Sequence, residues 1–272
     1  MLEFHTLNRF HASGIHLVIS ALVVGVSALF VFMFWYPGLL SYVSGVSDIF
    51  LILLLVDVIL GPLITLIVFN VEKKELKRDL FIVGCIQVMA LLYGLHTLFD
   101  ARPVFVVFNN GRFDVVYANE LSQEKLNKAV YDEFKSLPYF GPKFIAAQLP
   151  SDQKKANEVM LSAVAGGDDV QQMPEFYLPY SAAAQSIPRA AKPLTDTKVF
   201  NKNKLGDVDT LIKQFSSKGD KIGYVPLVGK SKNVVVVVNM ETAEIIMMSK
   251  LAPFDESFGT SSIDLKSILR KK

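Results

Sequence analysis

The chain has 272 residues, of which 51% are hydrophobic, and 28 basic residues nearly balance 26 acidic ones, leaving a net charge of +2. The charges of residues 103–272 also nearly balance, and nothing in them suggests the concentrated basic excess of a nucleic-acid-binding surface. The single cysteine, Cys85, excludes a disulfide within the chain, so any globular domain must rely on ordinary packing.

Three apolar segments in the first hundred residues predict membrane-spanning helices. They cover residues 14–36, 48–69 and 80–99, and each is near the ~20 residues that cross a ~30 Å hydrocarbon layer. The first ends in Phe-Trp-Tyr-Pro, a poor cleavage site, which favours a retained helix over a signal peptide. We therefore predict a three-helix transmembrane domain at residues 1–101, in contact with membrane lipid.

The distribution of basic residues predicts the orientation of these helices. Residues 71–79 contain Lys73, Lys74, Lys77 and Arg78, whereas residues 37–47 carry no charge. The positive-inside bias places the basic loop and the N-terminus in the cytoplasm. Residues 102–272 then lie outside the cytoplasm as a second domain.

A carboxylate near the middle of the second apolar segment is the first candidate site. Asp57 at that depth costs ~2.5–3.5 kcal/mol on insertion scales. Gly61 lies on the same helical face, and Pro62 removes a backbone donor, so we expect a bend. Counting ~1.5 Å per residue puts Ser27 and Tyr93 level with Asp57 as possible hydrogen-bond partners, and Gln87 nearer the cytoplasm. These residues either form an intramembrane partner contact or proton relay, or only hold the helices together.

The second domain offers little for catalysis. All four histidines and the cysteine precede residue 102, which removes His-based triads, Cys nucleophiles and ordinary zinc sites from residues 102–272. Asp168 and Asp169 follow two glycines and favour a polar loop over carboxylate chemistry. No nucleotide fingerprint is present. We expect no enzyme activity, cofactor or metal.

Local patterns in this domain predict an extracytoplasmic α+β fold with an antiparallel sheet. Asn109-Asn110-Gly111 between two β-rich runs is a strong hairpin signal. Five consecutive valines, 234–238, indicate a central core strand, with an exposed edge as the alternative. The other predicted strands are 143–148, 175–180 (an edge), 221–228, 233–239 and 244–251, and the predicted helices are 121–137 (N-cap Ser122), 151–165 and 207–217.

Several of these segments resemble the type IV pilin accessory proteins of Gram-negative bacteria, the TfpX/TfpZ group. The resemblance covers nearly the whole chain and is most specific between Trp35 and Leu121. The similar stretches are residues 34–38, 56–57, 60–63, 68–70, 77–80, 102–108, 114–121 and 251–254.

This resemblance implies a bacterial inner-membrane helper with a periplasmic domain. Such a helper acts with a cognate type IV pilin, and with the pilus assembly machinery, in pilin stability, assembly or pilus dynamics. It supplies no catalytic residues. The alternative is a membrane sensor whose periplasmic domain binds a small ligand, although the chain has no recognisable cytoplasmic output domain.

Overall fold

Long helices form in all three apolar segments. The computed structural model describes residues 8–216 and 221–255, and its first elements are α1 (Arg9–Trp35), the short α2 (Leu40–Ser44), α3 (Val46–Val68) and α4 (Leu76–Asp100). The Asn8 side chain caps α1 by accepting from the His11 N–H. The three long helices are apolar and long enough to cross a membrane, as the sequence predicts.

The membrane unit comprises the residues up to Ser41 together with Gly45–Arg102. Its interior contains the buried side chains of Val31, Tyr36 and Leu98, and the Tyr36 hydroxyl donates to the Leu98 carbonyl at 2.9 Å. Large apolar side chains on the outer faces, such as Ile67 and Phe81, are more than 70% exposed. This inside-to-outside distribution suits a bundle that is surrounded by lipid tails.

The expected irregularity near Asp57 is a π-helical turn at Leu55–Leu60. The Gly61 N–H donates to the carbonyl of Val56, five residues back. Pro62 has no N–H with which to continue the α-helical pattern to Val58. A locally widened turn is one way in which a helix accommodates such a break.

The second unit is an α+β domain built on one sheet. It comprises the described residues from Pro103 onward and Tyr42–Ser44 of α2. The Val43 carbonyl accepts from the Ser231 and Lys232 N–H groups at 3.0 and 3.2 Å. Its strands are β1 (Pro103–Asn109), β2 (Arg112–Tyr117), β3 (Lys143–Ala147), β4 (Tyr177–Pro179), β5 (Lys192–Pro193), β6 (Ile222–Val228), β7 (Val234–Asn239) and β8 (Ile245–Ser249). Its helices are α5 (Gln123–Leu126), α6 (Gln153–Val164), α7 (Ser186–Ala190) and α8 (Leu205–Ser216).

The strands follow the order β4-β3-β1-β2-β6-β7-β8, and β5 pairs with β6. The predicted hairpin β1–β2 and meander β6–β7–β8 are antiparallel, whereas β1–β3 and β2–β6 are parallel. The fold class is therefore confirmed, with a sheet that is mixed. Parallel neighbours need long crossover connections, so no short-range sequence signal marks them.

The predicted turn and core strand are both confirmed. Asn110 and Gly111 have φ angles of +46° and +80°, the positive values that a two-residue hairpin turn requires. β7 lies between β6 and β8, and Val234–Val238 are fully buried. The alternative of an exposed valine edge is excluded.

The helix expected at residues 121–137 is wrong. Ser122 does cap a helix, but α5 ends at Leu126, and a 3-10 turn at Asp132–Phe134 follows. Leu126 and Phe134 are buried, whereas Val130 is 72% exposed. A folded loop, not a continuous helix, packs these apolar residues against the sheet. Their helical spacing in the sequence is therefore a coincidence.

Candidate functional site

A polar layer crosses the middle of the membrane unit. Ser20 lies eleven residues after Arg9, Asp57 eleven residues before Val68, and Gln87 eleven residues after Leu76. Because an α-helix rises ~1.5 Å per residue, one residue of each long helix is at nearly the same depth. Ser20 and Asp57 are both buried.

Gln87 contacts the main chain of Asp57 but not the Asp57 carboxylate. The Gln87 side-chain Nε2 donates to the Asp57 carbonyl at 3.3 Å. A Cβ on Gly61 would lie 1.8 Å from that nitrogen, so the absence of a side chain at Gly61 makes room for the amide. Both carboxylate oxygens of Asp57 are enclosed without a hydrogen-bond partner among the described residues.

The partners expected for Asp57 are corrected by the structure. The Ser27 hydroxyl donates to the carbonyl of Val23 at 2.9 Å, and Tyr93 is 77% exposed on the outside of α4. The expectation assumed helices that begin at residues 14 and 80, whereas they begin at Arg9 and Leu76. Polar residues before each hydropathy maximum extend the helices, which moves Ser20 and Gln87 to the depth of Asp57.

A second polar contact joins α1 to α3 nearer the cytoplasmic side of the predicted orientation. The Ser13 hydroxyl donates to the Pro62 carbonyl at 2.8 Å, and His16 Nδ1 lies 2.5 Å from Thr65 Oγ1. Pro62 therefore has a role in packing as well as in the helix break. Polar contacts of this kind hold helices together where the hydrophobic effect between them is weak.

The C-terminal domain contains a second polar site, a cleft of about 290 Å³ beside the end of β2. At its base Asp114 is buried, with Arg112 Nε 2.9 Å from Asp114 Oδ2. The same guanidinium lies 3.9 Å from Asp169. Burial raises the pKa of Asp114 to about 6, although the Arg112 charge lowers it.

The rim of the cleft is formed by residues that follow β2 and β6. Lys230 Nζ lies 3.0 Å from Glu120 Oε1 and 4.1 Å from the centre of the Tyr117 ring. Glu120 Oε2 accepts from the Tyr117 N–H, which fixes the short turn after β2. Asp168, predicted to be in a polar loop, pairs with Lys125 at 2.7 Å.

Sequence reasoning missed this cleft. Asp114 is the one acidic residue inside a β-rich hexapeptide, which is a signal that could have been followed. Lys230 is more than one hundred residues away in sequence, and only the parallel β2–β6 pairing brings it to Glu120. In the described ranges, 8–216 and 221–255, no group of three or more His, Cys, Asp or Glu residues is arranged to hold a metal ion.

Together these features define a membrane protein with three apolar N-terminal helices and a C-terminal α+β domain on a mixed sheet. The chain belongs to the fimbrial assembly protein family. It is 30% identical over 247 residues to the fimbrial assembly protein, serogroup I, of Dichelobacter nodosus, covering 86% of this chain and 95% of that protein. The serogroup E1 protein of the same organism is 29% identical over 247 residues, with the same two shares.

Two further comparisons agree with this assignment. The protein for serogroups C1 and C2 of D. nodosus is 33% identical over 119 residues, covering 43% of this chain and 91% of that protein. The family model described as fimbrial assembly protein FimB matches residues 4–45. No solved structure matches the chain significantly.

Proposed function

We propose that this protein is a noncatalytic accessory protein of type IV fimbriae, of the TfpX/TfpZ kind, that assists a cognate pilin before or during assembly. The observation that carries the proposal is similarity to fimbrial assembly proteins along most of the chain, across both the helices and the C-terminal domain. The similarity of both parts supports a role that uses the whole protein.

We place the helices in the bacterial inner membrane and the C-terminal domain in the periplasm. Two basic residues in the loop between α3 and α4, Lys73 and Lys74, and two in the first turn of α4, Lys77 and Arg78, support this orientation. The positive-inside bias depends on Lys and Arg of this kind. Lys73 pairs with Asp79, and Arg78 pairs with Glu75. These acidic partners do not weaken the argument, since acidic residues contribute little to topology.

The contact with the pilin is proposed to include the polar layer of the membrane unit. The Asp57 carboxyl group has no donor among the described residues of the bundle and lies in a π-helical turn, a feature often found at functional sites. A buried polar group without a partner costs free energy, which a donor from another helix would recover. Because the group is enclosed, the donor must enter between α3 and a neighbouring helix.

Deletion of the gene tests the role as a whole. The expected result is a loss of surface fimbriae, with pilin abundance, surface fimbriae and retraction measured separately to assign the step. Re-expression of the wild-type protein should restore fimbriae. Unchanged abundance, assembly and retraction of the pilin would contradict the proposal.

Site-specific crosslinking tests the intramembrane contact. A photoreactive residue at Val58 or Gln87, in cells that make the pilin, should form pilin adducts that Asp57→Leu removes and Asp57→Asn keeps. The matched control position is Ile67, which faces outward on the same helix. If Asp57→Leu leaves adducts and fimbriae unchanged, Asp57 only holds the helices together.

The cleft in the C-terminal domain favours one second candidate function, a membrane sensor for a small ligand. Such a sensor needs a separate protein to carry the signal into the cytoplasm. A neighbouring pilin gene supports the assembly role, whereas a neighbouring kinase or transporter gene supports the sensor.

A further inference from the structure

The cleft exists because the pairing between β2 and β6 is short. The two strands pair only through Phe113–Leu227 and Asp114–Val228, after which β6 ends and the chain turns at Gly229. Among the described strands, none pairs with the rest of β2 on that side. The cleft occupies this place, and Lys230 at its rim is half exposed.

Gln171, which lines one wall of the cleft, has a side-chain acceptor without a donor in the described part of the chain. Gln171 Oε1 is enclosed and has no hydrogen-bond partner among the described residues. The main chain of Gln171 is fixed, since its carbonyl accepts from the Tyr177 hydroxyl at 2.5 Å. Because this oxygen is enclosed, a ligand donor reaches it only when the Gln171 side chain turns toward the cleft, and the new hydrogen bond would then remove the cost of the unpaired oxygen.

The charges around the cleft leave one negative charge in excess. Arg112 is shared between Asp114 and Asp169, while the other two cations each have their own carboxylate. The charged groups are four carboxylates and three cations, namely Asp114, Glu120, Asp168 and Asp169 against Arg112, Lys125 and Lys230. Arg112 does not fully offset the burial of Asp114, whose pKa remains raised. The site therefore favours a ligand that carries a single positive charge.

We propose that this cleft binds one lysine or arginine side chain of a partner polypeptide. A volume of about 290 Å³ is at the lower limit of small-molecule sites, which run from about 300 Å³, and suits one long side chain. The cationic group meets Asp114, and the Gln171 side chain turns its oxygen toward that group. The aliphatic part of the ligand lies along Val115 and Val228. The identity of the partner as a pilin rests on the proposed function.

Peptide binding to the purified full-length protein in detergent tests the cleft directly. The probes are acetyl-Gly-Arg-Gly-amide and its citrulline analogue, which has nearly the same shape without the charge. Ligand-observed NMR titration should give millimolar binding of the arginine peptide, about tenfold tighter than that of the citrulline peptide. Equal binding of the two peptides, or none, would overturn the proposal.

Two variants in the cleft and one outside it assign the binding to these residues. Asp114→Asn should reduce the arginine preference to near unity. Gln171→Glu adds a carboxylate at the unpaired oxygen and should strengthen arginine binding several-fold, so a folding defect in the first variant leaves the proposal testable. Asp132→Asn, at an exposed carboxylate away from the cleft, should change nothing.

Free arginine and agmatine separate a partner side chain from a small metabolite. Binding of either about tenfold tighter than the peptide would overturn the assignment to a polypeptide and support a sensor. Because this assay uses purified protein, it can fail while the deletion still abolishes fimbriae. The assay can equally detect binding where deletion of the gene has no effect on fimbriae. Failure of the cleft proposal is therefore distinguishable from failure of the proposed function.

Discussion

Two aspartates, one in each unit of the protein, are each only 5% exposed. Asp57 in the membrane unit has no donor for its carboxylate among the described residues, whereas Asp114 in the C-terminal domain has Arg112 at 2.9 Å. Despite this difference, neither is well compensated. Arg112 is itself half exposed and is shared with Asp169, so it recovers only part of the desolvation of Asp114.

Each unit therefore contains a buried carboxyl group that is only partly stabilised by the rest of that unit. Such groups are candidates for contacts with another molecule, because binding can supply the missing donor or charge. If these carboxyl groups serve binding, replacing one of them should stabilise the folded protein and weaken binding of the other molecule. Four predictions test how far this consequence extends.

The largest change in stability is expected when a mutation introduces a third buried carboxylate, at a position surrounded by apolar side chains. Val236→Asp puts a charge in the centre of β7, at a position with 0% exposure, and should destabilise the C-terminal domain by about 3–5 kcal/mol. Limited proteolysis should show rapid cleavage of that domain. Fluorescence of Trp35, the single tryptophan, should report an unchanged membrane unit.

Met247→Asp is the matched control for this prediction. Met247 pairs with Val237 from the neighbouring strand but is 36% exposed, so its aspartate remains hydrated and should cost far less. If the two variants lose the same free energy of unfolding, burial in β7 does not determine how much the introduced charge destabilises the domain.

Asp57→Leu should stabilise the membrane unit by about 2–3 kcal/mol, because it removes a buried polar group that has no donor within residues 8–216 and 221–255. The measurement is unfolding of the purified protein in mixed micelles, followed by Trp35 fluorescence. Asp57→Asn keeps a polar side chain of similar size and should recover little of this gain. Destabilisation by leucine would show that Asp57 has a partner that stabilises the bundle.

Sequence reasoning succeeded in this chain wherever the signal was local. Apolar length defined the three helices, Asn110-Gly111 defined the hairpin, and the valine run defined a core strand. It failed for residues 121–137, where burial of Leu126 and Phe134 by the sheet mimics a helical stripe. Periodicity reports which residues are buried, and it does not report which structure buries them.

The two candidate sites show the same limit. Asp57 was found from sequence, because a carboxylate in an apolar segment is unusual by itself. Its neighbours were not, since an error of four or five residues in a helix start moves a residue by about one turn. The cleft at Asp114 depends on the parallel β2–β6 pairing, and no local pattern encodes a pairing between strands that are a hundred residues apart.

The third prediction concerns pH. The pKa of Asp114 is raised from 3.8 to about 6 in the folded protein, because burial outweighs the attraction of Arg112 and Asp169 adds a like charge. Between pH 3.8 and about pH 6, Asp114 is therefore protonated in the folded state and ionised in the unfolded state. The contribution of Asp114 to stability is lost as the pH rises through 6 and recovered as it falls. Between pH 7 and pH 5 it should increase by about 1 kcal/mol.

This contribution is measured as a difference, because other carboxyl groups also titrate. Urea unfolding of the C-terminal domain, followed by tyrosine near-ultraviolet circular dichroism, is compared at the two pH values for the wild type and Asp114→Asn. The variant should lack the extra stabilisation at pH 5. The same pH dependence in both proteins would show that Asp114 is not the group that titrates.

The smallest effect tests whether Gln87 closes the polar layer of the membrane unit. In Gly61→Ala the new Cβ would lie 1.8 Å from Gln87 Nε2, so the amide must move and give up its hydrogen bond to the Asp57 carbonyl. The expected loss is roughly 0.5–1 kcal/mol, the net value of one hydrogen bond. Gly84→Ala, which has nothing within 4 Å of its new Cβ, should be neutral or slightly stabilising. In a double-mutant cycle the cost of Gly61→Ala should disappear once Gln87 is alanine, and a cost that persists would place the close contact elsewhere in the bundle.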